Sequence, residues 1–384
     1  MESPRALNFE IVGVHPANKG AVLMMEAIRA RLTESFPNAR FAVPLAWPAE
    51  ERLAKGLWST PARTGRRPNQ VTLLDHAPRK LQQSLGFIAS RDIDVLLDAS
   101  GFGYGDFWGL GKLRTRLTRR LEIWKKAGKK AILLPQALGP FTGPGMADAF
   151  RDAIALLDLA FVRDAASLAF VEDVVPRRTN IHRAPDFTNL LHPELPRRLE
   201  DVRGLSVLIP NEKMVTGKPD SVRATYLAFL KTAADIIAKS GRSAFILVHE
   251  GEKDRALARA LNDSLDLPLR VVDEPSALVT KAIIAATELS VSSRFHGLVS
   301  GLSSAVPSLA CGWSHKYLEL MADYGCPDLV VDIERPDSWA GAVQRLIDSA
   351  DSADFRQRLE TRGEEERRKS EAMWTMVVEA ITQP

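Results

Sequence analysis

Arg294, His296, His315 and Lys316 fall within one stretch, Val291–Gly325 (VSSRFHGLVSGLSSAVPSLACGWSHKYLELMADYG). A guanidinium fork, an ammonium and titratable imidazoles are what an enzyme needs to clamp a small anion and move a proton. Ala285–Val291 reads as a strand whose carboxyl edge is Ser292, and Val306–Ala310 opens as the next. Between them Gly297, Ser300, Gly301 and Ser304 stand at i, i+3, i+4 and i+7, a bare helix face that can press closely on a sheet. Arg294 and His296 are thereby predicted on a strand-to-helix loop, with His315 and Lys316 after the neighbouring strand. Open α/β sheets hold their ligands at such carboxyl ends. An Arg and a His two apart are, taken alone, most often a surface ion-pair partner and a satisfied loop histidine. The second cationic loop tips the reading toward a site. There Arg294 grips a carboxylate or phosphate, Lys316 adds a point charge beside His315, and His296 is the general acid.

Other candidates lie at other strand ends. Asp98–Asp106 (DASGFGYGD) puts Ser100, Gly101 and Gly103 in a glycine-rich loop, where a ligand can approach the backbone. It lacks the Gly-Lys-Ser/Thr ending of a phosphate-binding P-loop and is no clean Gly-x-Gly-x-x-Gly. Asn18 and Gly20, after the first strand, are expected near it. Arg163-Asp164 precedes a helix with Ser167 in its first turn; an ion pair plus a helix cap is the common explanation, anion contact by Arg163 the functional one. Asn211 and His249-Glu250 close strands farther along. His182 and His192 read as surface histidines. No His-x-x-x-His or His-x-Asp spacing marks a metal site, and none is expected.

The elements that must position these residues follow from the pattern of the chain. Short apolar runs alternate with amphipathic ones, the signature of parallel sheets with helical crossovers. Strands are predicted at Leu7–Val14, Phe41–Val43, Val71–Leu74, Val95–Asp98, Ala131–Leu134 and Leu159–Val162. A second set follows at Leu205–Ile209, Ala244–Val248, Leu269–Val272, Leu289–Val291, Ser308–Ala310 and Leu329–Val331. Helices are predicted at Ala21–Ser35, Ser221–Ser240 and Lys253–Leu265, and at Asp351–Ile381 with Met373, Trp374 and Val377 docking. Pro61–Gln70 reads as a polar loop, and Leu191–Arg203 as an interdomain linker. At 384 residues the chain suits two domains: 1–190 and 204–350, with 351–384 as a helical segment packing back on the body. Both are predicted to be Rossmann-like α/β domains, doubly wound and facing one cleft.

Bulk composition excludes several classes. Lys+Arg 51 against Asp+Glu 48 leaves +3, too balanced for a dedicated nucleic-acid binder. Residues 295–314 are free of Asp, Glu, Lys and Arg, but their serines, Pro307 and His296 argue against a membrane span. The first ten residues carry Glu2, Arg5 and Glu10 and do not read as a signal peptide. Cys311 and Cys326 are expected to be free, buried thiols in a reducing cytoplasm. Leu110–Lys130 is strongly basic. A solvated helix face is the usual meaning of such a run; the alternative is a surface facing anionic lipid headgroups or a lipid-pyrophosphate-linked glycan, hence peripheral contact with the inner face of the membrane.

Several short elements together resemble the polysaccharide pyruvyl transferase family. They are Asn18-Lys19-Gly20, the loop Asp98–Asp106, Leu134–Phe141 (LPQALGPF), Val162–Ser167 (VRDAAS), Pro185-Asp186, and the block from Ser293 (SRFHG) through Pro307 and Lys316 to Gly325. The resemblance implies a GT-B-like architecture. It also implies transfer of the enolpyruvyl unit of phosphoenolpyruvate, a co-substrate rather than a cofactor, to a sugar of a cell-surface or exopolysaccharide glycan. The first domain would take the glycan or lipid-linked acceptor and the second phosphoenolpyruvate. Members of the family often carry an acidic residue after the Asn-x-Gly turn. Here it is Ala21, leaving Asp98, Asp106 and Asp186 as candidate bases, Asp106 foremost. Two other readings compete: a GT-B glycosyltransferase using a nucleotide sugar, with Glu250 or Glu274 holding ribose, and a non-catalytic glycan- or sugar-phosphate-binding protein.

Overall fold

The computed structural model describes residues 6–61, 74–176, 178–312 and 314–383. Its contacts divide the chain into two units. One ends at Phe187 and takes in the chain again from Lys369; the other runs Thr188–Arg368. The loop at Pro61–Gln70 and the strand at Val71–Leu74 lie, apart from Pro61 and Leu74, outside the described residues.

In the first unit the strands are β1 (Asn8–Val12), β2 (Arg40–Pro44), β3 (Trp58–Thr60), β4 (Val95–Asp98), β5 (Phe102–Tyr104), β6 (Lys130–Leu138), β7 (Leu159–Val162) and β8 (Ile181–Arg183). They form a parallel sheet in the order β3-β2-β1-β4-β6-β7-β8, with β5 paired off this path to β6. Every residue of β1, β4 and β7 is buried. Strands covered on both faces read as near-continuous apolar runs, as β4 and β7 do; in β1 the buried Glu10 is met by the Thr60 hydroxyl and Arg120. The order reverses between β1 and β4, so the loops leaving these two strands flank the switch point where ligands of open α/β sheets bind.

The first helix, α1 (Lys19–Ser35), starts two residues before its expected limit because the Asn18 side chain accepts the Ala21 N–H at 3.0 Å and caps it. Gly13 joins β1 to this turn at φ +81°, and a Cβ there would lie 2.5 Å from the backbone N and Cα of Ser100. The first loop thus runs backbone against backbone with the glycine-rich loop. Gly13→Ala is expected to lower stability by about 1–3 kcal/mol, read as a shifted urea midpoint. An unchanged midpoint would mean that the two loops separate without cost.

The second unit has five strands, β9 (Ser206–Ile209), β10 (Ala244–Val248), β11 (Arg270–Asp273), β12 (Leu289–Ser292) and β13 (Ser308–Ala310). They pair in parallel in the order β11-β10-β9-β12-β13, with the switch point between β9 and β12. The strand expected at Leu329–Val331 is reduced to one bridge, Ala310 to Val330. Helices include Asp220–Lys239, α2 (Gly251–Ser264), α3 (Phe295–Leu302) and α4 (His315–Asp323). The expected bare face of α3 lies against the sheet: a Cβ on Gly297 would come 2.6 Å from Ser292 Oγ, and one on Gly301 2.6 Å from Ser308 Oγ. Any side chain there would push the helix, and Arg294 at its start, off the strand ends.

Leu191–Arg203 does not form a free linker. Residues Arg197–Val202 make 3₁₀ turns, and Leu199 and Val202 are buried with Val207 and Ile209 in a core of the second unit. The final helix, α5 (Ala353–Thr382), is continuous, and its part from Lys369 belongs to the first unit. Met373, Trp374 and Val377 are buried there, with the Trp374 ring edge-on to Phe187. Cys311 and Cys326 are free and buried, and burial pushes both thiols up to about 12. They remain protonated, hence unreactive, at neutral pH.

Candidate functional site

Each unit gathers candidate residues at its own strand ends. In the second unit the gathering centres on Ser293, between β12 and α3. Its carbonyl accepts Asn211 Nδ2–H at 2.7 Å and the Tyr317 hydroxyl at 3.0 Å, and its Oγ lies 2.6 Å from the Tyr226 hydroxyl. Asn211 follows β9, Tyr317 is in α4, and Tyr226 is in the helix Asp220–Lys239. Three elements therefore hold Ser293, the residue before Arg294, in a preorganised scaffold.

The expected role of Arg294 meets a constraint. Its fork, expected to take an anion, is occupied by Asp254, which accepts Nε–H at 2.9 Å and Nη2–H at 2.5 Å. Nη1 donates to Glu250. Asp254 is 0% exposed and also accepts the backbone N–H groups of Glu212 and Glu250. A guanidinium carries five N–H donors, so two on the terminal nitrogens remain for a ligand after these three bonds. Burial alone would depress the Arg294 pKa, yet Asp254 and Glu250 outweigh it and raise it. Burial raises the carboxyl pKa of both acids, against the pull of Arg294. Asp254 was not singled out in the sequence. Its position held a signal nonetheless: with Leu257, Ala258 and Leu261 it makes an i, i+3, i+4, i+7 set, placing a carboxylate on the apolar stripe of α2.

The two cationic loops of this unit meet. Lys316 Nζ lies 5.1 Å from the centre of the Phe295 ring, and the Phe295 ring stands edge-on to His296 at 5.6 Å and to Tyr317 at 5.9 Å. His296 is half-buried in the first turn of α3, and His315 opens α4, also half-buried. Glu250 responds to the charge of His296 as well as to Arg294. Its side chain is 22% exposed, so solvent reaches it where it does not reach Asp254. His249 is buried at the end of β10. Glu274, offered above as a ribose acid, is buried, pairs with Arg198 at 2.6 Å and accepts the Ser276 N–H at 2.9 Å.

In the first unit the glycine-rich loop lies where expected. Gly101 packs beside Met24 of α1, and Gly103 beside Ser100 and Gln136. Gly20 is buried in the first turn of α1, next to the capping Asn18. Two candidate bases are tied into the scaffold. Asp98 accepts Ser100 N–H at 2.9 Å and the Tyr104 hydroxyl at 2.6 Å. Asp106 accepts Thr142 N–H at 2.9 Å, Thr142 Oγ1–H at 2.5 Å and Gly143 N–H at 3.0 Å. Slight burial opposes these bonds but does not match them, so the Asp106 carboxyl is held below its ordinary range. Asp106, expected to be a catalytic base, closes this turn, and a carboxylate stabilised by three donors is the weaker base for it.

The third candidate, Asp186, pairs with Arg163 at 3.3 Å, both buried. Asp164 caps the helix Ala165–Val174 through Ser167 N–H at 2.8 Å, and Ser167 Oγ accepts Leu138 N–H at 2.9 Å. Of the structural roles expected for the Arg-Asp-x-x-Ser segment, the helix cap is made by Asp164, while Arg163 pairs outside the segment, with Asp186. Among the described residues no group of three His, Cys, Asp or Glu is placed to hold a metal.

The family model for polysaccharide pyruvyl transferase matches residues 18–315. Among solved structures, Anabaena Alr3699/HepE in complex with UDP is similar at 11% identity and TM-score 0.56, over 98% of this chain and 100% of that one. Medicago truncatula UGT71G1 complexed with UDP-glucose is similar at 11% identity and TM-score 0.55, over 99% of both chains. The spinosyn rhamnosyltransferase SpnG complexed with thymidine diphosphate is similar at 14% identity and TM-score 0.53, over 97% and 100%. The architecture is α/β with two Rossmann-like parts, as in GT-B glycosyltransferases; at these identities the likeness concerns fold alone.

Proposed function

Because the chain belongs to the polysaccharide pyruvyl transferase family, we propose that it transfers the enolpyruvyl unit of phosphoenolpyruvate to two hydroxyls of one sugar in a cell-surface or exopolysaccharide glycan. The product is a pyruvate ketal, and the phosphate is released. The observation that carries this reading is the grouping of Arg294, His296, Lys316 and Glu250 at the carboxyl ends of the second unit's strands.

The reaction needs a proton on the methylene carbon, which leaves an oxocarbenium-like centre at the enol carbon. A sugar hydroxyl adds there and loses its proton. The carbon–oxygen bond to phosphate then breaks, and a second hydroxyl closes the ring, its proton balancing the departing phosphate. His296 supplies the first proton. The two open N–H donors of Arg294 hold the carboxylate or phosphate, and Lys316 adds a point charge. Glu250, half-buried with a raised pKa, accepts the hydroxyl proton in the place first given to Asp106. Asn18, Ser100 and the glycines of the first unit are assigned to the acceptor sugar. In this scheme the cations alone neutralise the phosphate, with no metal.

Ligand-dependent thermal unfolding tests the donor directly. Phosphoenolpyruvate is expected to raise the unfolding temperature, UDP-sugars are not, and chelation is expected to leave turnover unchanged. Arg294→Lys keeps one charge but loses the fork held by Asp254, so the shift with phosphoenolpyruvate should shrink. Protection by a UDP-sugar but not by phosphoenolpyruvate would replace this reading with a nucleotide-sugar glycosyltransferase. Binding without phosphate release in the presence of acceptor glycans would leave a binding protein.

A further inference from the structure

We propose that the basic segment Leu110–Lys130 and the Phe107 loop before it form a docking surface for an anionic lipid bilayer. The inference does not depend on the reaction proposed above. The segment carries nine Lys and Arg and one acid, Glu122, and the structure sorts them by face. Leu113, Leu117, Leu121 and Trp124 are buried. Arg120 pairs with Glu10, and Lys125 with Asp158. Arg114, Arg116, Arg119 and Lys126 are exposed and form no ion pair among the described residues.

Two large apolar side chains of the segment and the loop before it are exposed as well. Ile123 is 56% exposed, and with Arg119 and Lys126 it stands at i, i+4 and i+7 on one face of the helix Arg119–Lys126, while the exposed Arg116 lies in the π-helical turn Arg114–Thr118 before it. Phe107 is 66% exposed and packs on Trp108, over whose ring Lys112 Nζ sits at 3.3 Å. Cations interleaved with outward apolar side chains are the features of a helix that lies in a bilayer interface. A protein partner would need a shaped, continuous apolar patch. A nucleic acid could stack a base on Phe107 but would leave the aliphatic Ile123 without a role.

Co-sedimentation of the full chain with vesicles tests this. The protein should bind phosphatidylcholine vesicles doped with phosphatidylglycerol, bind phosphatidylcholine alone far less, and release at high salt. Each cation beside an anionic leaflet is worth roughly five-fold in affinity, so Arg116→Gln with Arg119→Gln should weaken binding by roughly 25-fold. Phe107→Ser with Ile123→Ser should weaken vesicle binding while retaining any binding to soluble polyphosphate. All four positions are exposed, so both double variants should unfold at the wild-type temperature. Absence of binding to the anionic vesicles, equal binding to both vesicles, or indifference to either double substitution would overturn the proposal. So would loss of polyphosphate and vesicle binding in parallel in the Phe107/Ile123 variant.

Discussion

His296→Ala is expected to cut turnover by at least about 10²-fold, the contribution of a positioned general acid, with an unfolding temperature close to wild type. The imidazole is half-buried and meets the edge of the Phe295 ring, so its removal opens little core. The bond from Ser300 Oγ goes to the His296 carbonyl at 2.6 Å and survives the substitution. Helix α3 therefore keeps its place while the proton donor is lost. Phosphate release from phosphoenolpyruvate with an acceptor glycan is the readout, with kcat and KM separated, since a lost acid lowers kcat more than it raises KM. Turnover within a few-fold of wild type would remove His296 from the chemistry.

Asp254→Ala should have the largest effect on stability. It leaves the Arg294 guanidinium buried with Glu250 as its remaining carboxylate partner here and strips the acceptor from the N–H groups of Glu212 and Glu250. Removing one partner of a buried ion pair costs about 3–5 kcal/mol, because the other charge stays desolvated. Asp254→Asn retains one acceptor oxygen and should lie between the two. Urea denaturation measures both. A loss under about 1 kcal/mol in the alanine variant, the size of an ordinary substitution, would show that Arg294 finds other partners and that Asp254 does not fix it. Phosphoenolpyruvate binding should weaken in both variants, since Asp254 aims the guanidinium rather than touching the ligand.

The central strands are legible because they are short, largely apolar and buried on both faces. Val95–Asp98, Leu159–Val162, Ala244–Val248 and Ser308–Ala310 coincide with the expected limits. What escaped were the short strands whose pairing, rather than composition, makes them strands: Trp58–Thr60 and Ile181–Arg183 at the sheet edges, and Phe102–Tyr104 inside the glycine-rich loop. Residue type and position put Arg294, His296 and Lys316 at strand ends. The partner of Arg294 could not be read from its neighbours in sequence, because Asp254 comes from a helix on another strand's return. The hydrogen bonds of Asp106 are hidden for a similar reason: they come from Thr142 and Gly143, distant in sequence and unremarkable by composition.

The ownership of α5 sets an order on biosynthesis. The first unit is closed by Met373, Trp374 and Val377, with Trp374 standing edge-on to Phe187. Its sheet is translated long before these residues exist. While the ribosome makes Thr188–Arg368, the nascent first unit must wait with that apolar seat uncovered, open to chaperones and to aggregation. Expressing residues before Thr188 alone would make this waiting state permanent. A soluble, independently folded first half requires the helix from Lys369 supplied in trans or spliced on by a short loop.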